Sequence, residues 1–333
     1  IDMVFTAALS TAAAWLGAWH ADGEGEKRSI LPFYVFAGLG TLIKGPVALV
    51  LTALMALALA LAAEHRVKTL AALRPAAGSA VALGVALPWY LAAWLHDRVY
   101  VETFLWRHNF ERYAQGFTDH HSEPWYYYLV ALPLCLLPWT PAVVAAAASR
   151  LRSARRSPAD LYAAIWAAVI ILFFLPARTK LVTYMLPALP PLLCLAAAWA
   201  TDERTRRHPP AGLWGWSVLW SALVAALCIA ASLWACSLVP EATAGVAAAA
   251  LLALAVAACA WFRGRSSASM CGACLAASSL ALVLFLYGPF ASAVNAVRSL
   301  RPAAEIVSAE LGPGSDLASY RITPHSVAFY ARR

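Results

Sequence analysis

The chain has 333 residues, of which 62% are hydrophobic and 13% charged, with a mean hydropathy of +0.68. That balance excludes a water-soluble globular enzyme or binding module. The formal charge of +8 would point to nucleic acid only if the basic residues formed one patch, and they do not.

Taken in chain order, Asp2 precedes an apolar run over 3–19. Runs of roughly bilayer length, about 20 residues, follow at 30–43, 45–63, 77–95, 124–148, 160–176, 182–200, 213–237, 243–262 and 271–289. The pattern predicts an all-α polytopic membrane protein with about ten transmembrane helices filling one domain, 1–289. Lys44-Gly45-Pro46 interrupts the second and third runs, so a tight turn must join them. From 290 to 333 the texture changes. Val297–Leu311 has helical periodicity, a turn follows at Gly312-Pro313-Gly314, and Leu317–Arg321 and Ser326–Tyr330 read as short strands. This tail is expected to begin a small α/β periplasmic domain. Ile1 is not a start-codon residue and the tail stops abruptly, so the chain reads as a fragment of a longer protein.

Basic residues recur in alternate loops: Arg66, Lys68 and Arg74; Arg150, Arg152, Arg155 and Arg156; Arg204, Arg206 and Arg207; Arg263 and Arg265. Alternation places these loops on one side, and the positive-inside rule makes it the cytoplasm. Asp2, Lys44, the 96–123 loop, 177–181 and the tail then share the outer face. The basic excess is an orientation signal, and nucleic acid is not an expected partner.

Cys135, Cys194, Cys228, Cys236, Cys259, Cys271 and Cys274 all sit in or beside apolar runs, where cysteine acts as a small hydrophobe. Cys271 and Cys274 have half the spacing of a zinc site, but no second pair accompanies them. The 96–123 loop is the most polar piece between spans, with four His and three Arg among aromatics and carboxylates. Such concentrations at a membrane face usually mark the substrate site.

Asp2 alone could be a helix N-cap carboxylate, Lys44 a snorkelling lysine, and Arg178-Thr179-Lys180 an interfacial anchor. Together, a carboxylate and three cations at one face fit a phosphate-bearing lipid headgroup.

Several motifs follow one another here: Asp2-Met3-Val4-Phe5-Thr6, Leu42-Ile43-Lys44-Gly45-Pro46, Leu87-Pro88-Trp89-Tyr90 and Arg107-His108-Asn109-Phe110-Glu111-Arg112. His121-Ser122-Glu123-Pro124-Trp125-Tyr126-Tyr127, Leu137-Pro138-Trp139 and Thr179-Lys180-Leu181-Val182-Thr183-Tyr184-Met185-Leu186-Pro187 complete the series. In this order the sequence resembles the bacterial aminoarabinose lipid A transferases and their protein O-mannosyltransferase relatives, GT-C glycosyltransferases that use polyprenyl-phosphate sugars. The resemblance covers most of 1–200 and, more loosely, Ser326–Tyr330.

It implies a bacterial inner-membrane glycosyltransferase with its active face in the periplasm. Its partners would be a polyprenyl-phosphate sugar donor, a lipid A-like glycolipid or protein acceptor, and membrane lipids. Asp2 matches a second acidic residue of the family's catalytic site, whose principal carboxylate lies upstream. Lys180 and Tyr184 match the region lining the lipid-phosphate cavity, to which Lys44 and Arg178 are added here. The chain has Arg178-Thr179-Lys180 where the family carries a Gly-rich turn. His121, and beside it His120, match the loop histidine that approaches a divalent metal, although a structural loop histidine fits the same position.

The implied chemistry needs a carboxylate base for the acceptor and cations for the departing phosphate, which is already a good leaving group. A transporter of a lipid-linked or anionic substrate is the alternative, but it would place its charges in mid-membrane on broken helices. A non-catalytic membrane fragment is the other.

Overall fold

The computed structural model describes residues 1–22, 28–104, 123–152, 157–202, 211–238 and 268–298, with a few isolated positions besides. The chain divides into two compact units, Ile1–Asp202 and Glu203–Arg333.

The first unit is helical: α1 (Asp2–Ala21), α2 (Leu31–Lys44), α3 (Val47–Ala62), α4 (Arg66–Leu73), α5 (Pro75–His96), α6 (Arg98–Glu102), α7 (Tyr127–Cys135), α8 (Thr140–Arg152), α9 (Pro158–Phe174), a 3-10 helix over Val182–Ala188, and α10 (Leu189–Thr201). Helical spacing selects the faces that meet. Leu9, Ala12, Ala13 and Leu16 of α1 are fully buried, as are Ala48, Leu51 and Met55 of α3. Tyr162, Trp166, Ile170 and Phe174 place one side chain per turn of α9 in the same core. The opposite faces are also apolar, with Val50, Leu54, Leu57 and Leu61 of α3 exposed. A soluble bundle would present charge there, so these faces belong to lipid.

The joints follow from local sequence. Gly45 takes φ 84° between α2 and α3, a left-handed geometry that glycine adopts without a Cβ penalty, and Pro46 cannot continue the helix through its own N–H. This is the tight turn expected from Lys44-Gly45-Pro46. The run at 124–148, expected as one span, is instead two helices bent by 111°. The break falls at 136–139: the Leu137 N–H turns to the Leu134 carbonyl, Pro138 has no N–H to offer, and the Thr140 hydroxyl donates to the Pro133 carbonyl at 2.5 Å. Likewise 182–200 opens as a 3-10 turn containing Pro187 before becoming α-helical.

The second unit contains α11 (Ala211–Leu238), α12 (Ala268–Phe285), a π turn over Leu286–Phe290 and α13 (Ala291–Arg298). Val224, Ala225 and Cys228 of α11 bury against Phe285.

Among the described residues, 66–96, 182–201, 212–234 and 270–288 are long and apolar enough to cross a bilayer, and the bent α7–α8 pair counts as a fifth if it is one span. The chain is thus a multi-pass helical membrane protein. The expected run over 243–262 lies almost wholly outside the described residues. Helices α2, α3 and α9 are apolar but span 14–17 residues, about 21–26 Å of rise against a core of about 30 Å. The described residues include no strand, and the expected α/β tail lies outside them.

Candidate functional site

The expected outer-face residues converge at one end of the first unit. Asp2 opens α1 and Lys44 closes α2, so two antiparallel helices bring acid and base together from 42 positions apart. Lys44 Nζ donates to Asp2 Oδ1 at 2.6 Å. The pair is partly exposed, with 20% of the Lys44 side chain and 31% of the Asp2 side chain open.

Two aromatic rings flank the ammonium. The Phe5 centre lies 5.1 Å away and the Tyr184 centre 4.7 Å, both within cation–π range. Phe5 stands three residues after Asp2, on the same face of α1. Tyr184 belongs to the 3-10 turn, and its ring packs on Phe174 at 4.9 Å between centroids. The neighbouring Thr183 hydroxyl lies beside Asp2 but makes no hydrogen bond of normal geometry to a described residue, although its oxygen is buried.

Lys180 leads into the same turn. It is buried, with 5% of its surface open, and its Nζ donates to the Ala177 carbonyl at 2.5 Å. No carboxylate pairs with it among the described residues. Charge of this kind is costly to bury, and that cost falls sharply when an anion completes the site. Arg178 is exposed, with no described carboxylate partner. Tyr128 of α7 is buried and donates from its hydroxyl to the Leu181 carbonyl at 3.3 Å, which fixes the turn from behind.

Beside the turn, a mostly apolar cleft of about 570 Å³ is lined by Tyr126, Tyr127, Val130, Leu134 and Val182, with Glu123 at its polar edge. The opposite end of the unit carries its own pairs, Asp22 with Arg28 and Arg150 with Asp160.

The structure therefore joins Asp2, Lys44 and Tyr184 directly, places Lys180 four residues before Tyr184, and leaves Arg178 at the surface. His120 and His121 lie outside the described residues. Among those described, no group of three His, Cys, Asp or Glu side chains could hold a metal. Phe5, Thr183 and Tyr128 are additions that reading the sequence missed. Phe5 was detectable in principle from its helical spacing to Asp2, whereas the Tyr128 bond to Leu181 depends on the packing of α7.

A multi-pass helical membrane protein with an acid, two lysines and a tyrosine at one end of its first helical unit is thus the class of protein that the fold and site define. The Alg9-like mannosyltransferase family model matches residues 1–271, and the chain belongs to that family. It is similar to the undecaprenyl phosphate-α-4-amino-4-deoxy-L-arabinose arabinosyl transferase of Edwardsiella ictaluri, at 31% identity over 201 residues, covering 60% of this chain and 36% of the relative. The enzyme of that name from Pseudomonas aeruginosa is 35% identical over 181 residues, covering 53% of this chain and 32% of the relative. The chain thus spans about a third of the length of these curated relatives. The crystal structure of ArnT from Cupriavidus metallidurans bound to undecaprenyl phosphate superposes with a TM-score of 0.74 at 22% identity, covering 99% of this chain and 61% of that one. Its apo form gives a TM-score of 0.65. These superpositions establish the fold.

Proposed function

We propose that the chain is the membrane body of a glycosyltransferase that takes a sugar from a polyprenyl-phosphate donor at the periplasmic face of the bacterial inner membrane. The acceptor is a lipid A-like glycolipid or, alternatively, a protein. The observation that carries the reading is the buried Lys180 ammonium, without a carboxylate among the described residues, four positions before the Tyr184 ring that covers a second lysine already paired with one. Asp2 and Lys44 balance each other, so the uncompensated charge belongs to Lys180, with Arg178 on the rim. An anionic headgroup entering there restores neutrality and offsets the cost of burial. The names of the relatives specify an undecaprenyl-phosphate-linked sugar, which supplies that headgroup and a long apolar chain. The cleft beside Val182 has the apolar lining for an isoprenoid chain.

In this scheme Lys180 and Lys44 bind the donor phosphate and stabilise it as it departs with the electron pair of the cleaved sugar–oxygen bond. Asp2 lies close enough to serve the acceptor side by orienting a hydroxyl or taking up its proton. A transporter reading has less support, because the described ion pairs stand at helix ends and not in mid-membrane.

The test is Lys180→Met in the full-length protein. Transfer from a polyprenyl-phosphate sugar should fall about a hundredfold or more at unchanged membrane abundance, with Lys180→Arg recovering part of it. Full turnover in Lys180→Met would make Lys180 an interfacial anchor and remove the main support for the donor site.

A further inference from the structure

The ion pair with Asp2 does not account for all the contacts of Lys44. A lysine at the end of a membrane helix ordinarily extends its flexible stem to water. Here the ammonium is turned toward the bundle and contacted on three sides. Asp2 Oδ1 lies at 2.6 Å, and the rings of Phe5 and Tyr184 lie at 5.1 and 4.7 Å. The two rings come from different elements, α1 and the 3-10 turn, so this set of contacts forms only when those elements dock. Tyr184 is itself backed by Phe174, and Met185, the next residue, is fully buried in the core. The ring therefore stands on a rigid support.

We propose that Tyr184, with Phe5, is a positioning residue whose ring face clamps the Lys44 ammonium beside Asp2, so that one fixed cation serves the carboxylate and the incoming donor phosphate. The donor-phosphate half of this statement rests on the function proposed above; the clamp itself rests on geometry alone. The face of the ring does the work, because the attraction comes from its quadrupole. The clamp therefore needs an aromatic ring at 184 and does not need the hydroxyl. It also acts through Lys44, so the part of its effect beyond packing on Phe174 must vanish when the ammonium is removed.

The experiment uses the full-length protein with Tyr184→Phe, Tyr184→Leu, Lys44→Met and the double variant Lys44→Met/Tyr184→Leu. With a polyprenyl-phosphate sugar as donor, Tyr184→Leu should fall about tenfold in kcat/KM, mostly through donor KM, and Tyr184→Phe, which keeps the ring, should fall clearly less. Equal damage from Phe and Leu would overturn the ring-face role. Thermal unfolding in detergent, which needs no substrate, closes the cycle. Tyr184→Leu should lower the midpoint more in the protein that keeps Lys44 than in the Lys44→Met background, where only the packing on Phe174 is lost. Equal shifts in both backgrounds mean that Tyr184 merely fills space, and the clamp is then wrong. If the parent protein transfers no sugar while the thermal cycle still shows coupling, the clamp stands and the transferase reading falls.

Discussion

Asp22 and Arg28 lie between α1 and α2, outside the membrane-spanning segments, and are joined by a fork of two side-chain hydrogen bonds at 2.6 and 2.9 Å. Those bonds, reinforced by the Arg28 backbone N–H, hold the Asp22 carboxyl below its ordinary range. A carboxylate depressed by folding contributes its stability above the unfolded value, about 3.9, and loses it as pH falls through the lower folded value. The thermal midpoint of the parent should therefore drop more between pH 5 and pH 3 than that of Asp22→Asn. Parallel slopes would show that the exposed pair adds nothing, as many surface pairs do. The outer-face pair shows what sequence reading captures at this scale. Asp2, Lys44, Lys180 and Tyr184 were selectable by type and motif. That Lys44 meets Asp2 was not, because no local pattern links positions 42 residues apart.

At the scale of elements, α2 and α5 cross closely because small residues line the contact. A Cβ on Gly38 would lie 2.6 Å from the Ala82 backbone oxygen, and a backbone atom inside a helix cannot step aside as a flexible side chain can. Gly84, also on α5, has nothing within 4 Å of its would-be Cβ. Gly38→Ala should therefore destabilise the bundle by about 1–3 kcal/mol, while Gly84→Ala should be neutral or slightly stabilising through helix propensity. The ranking is read from thermal unfolding in one detergent, and a Gly38→Ala protein as stable as the parent would refute the close crossing. The long described helices were legible as apolar runs, since hydrophobicity alone marks a segment that must leave water, whereas the short α4, α6 and α13 fell in stretches read as loop or tail. The breaks were less so. Gly45-Pro46 announced itself, but the break at 136–139 lay inside a continuous apolar run, and it depends on the Thr140 hydroxyl donating to the Pro133 carbonyl.

For the whole molecule, the arrangement of charge predicts which end faces which compartment. The chain crosses the membrane repeatedly, and the structure independently groups the helix ends. Asp2, Lys44 and the 177–184 turn meet at one end of the first unit. At the other end the Tyr34 hydroxyl bonds the Leu73 carbonyl, so the start of α2 lies against the end of α4. That second end carries Arg66, Lys68 and Arg74, all exposed, as the positive-inside rule requires of a cytoplasmic face. Single cysteines in a background lacking Cys135, Cys194, Cys228, Cys236, Cys259, Cys271 and Cys274 test the assignment. Arg178→Cys should react with a membrane-impermeant maleimide in cells whose outer membrane alone has been opened. Lys68→Cys should react only after the inner membrane is breached. The two positions lie at opposite ends of one packed unit, so labelling of both from the same side would overturn the topology and, with it, the periplasmic placement of Asp2, Lys44 and Lys180.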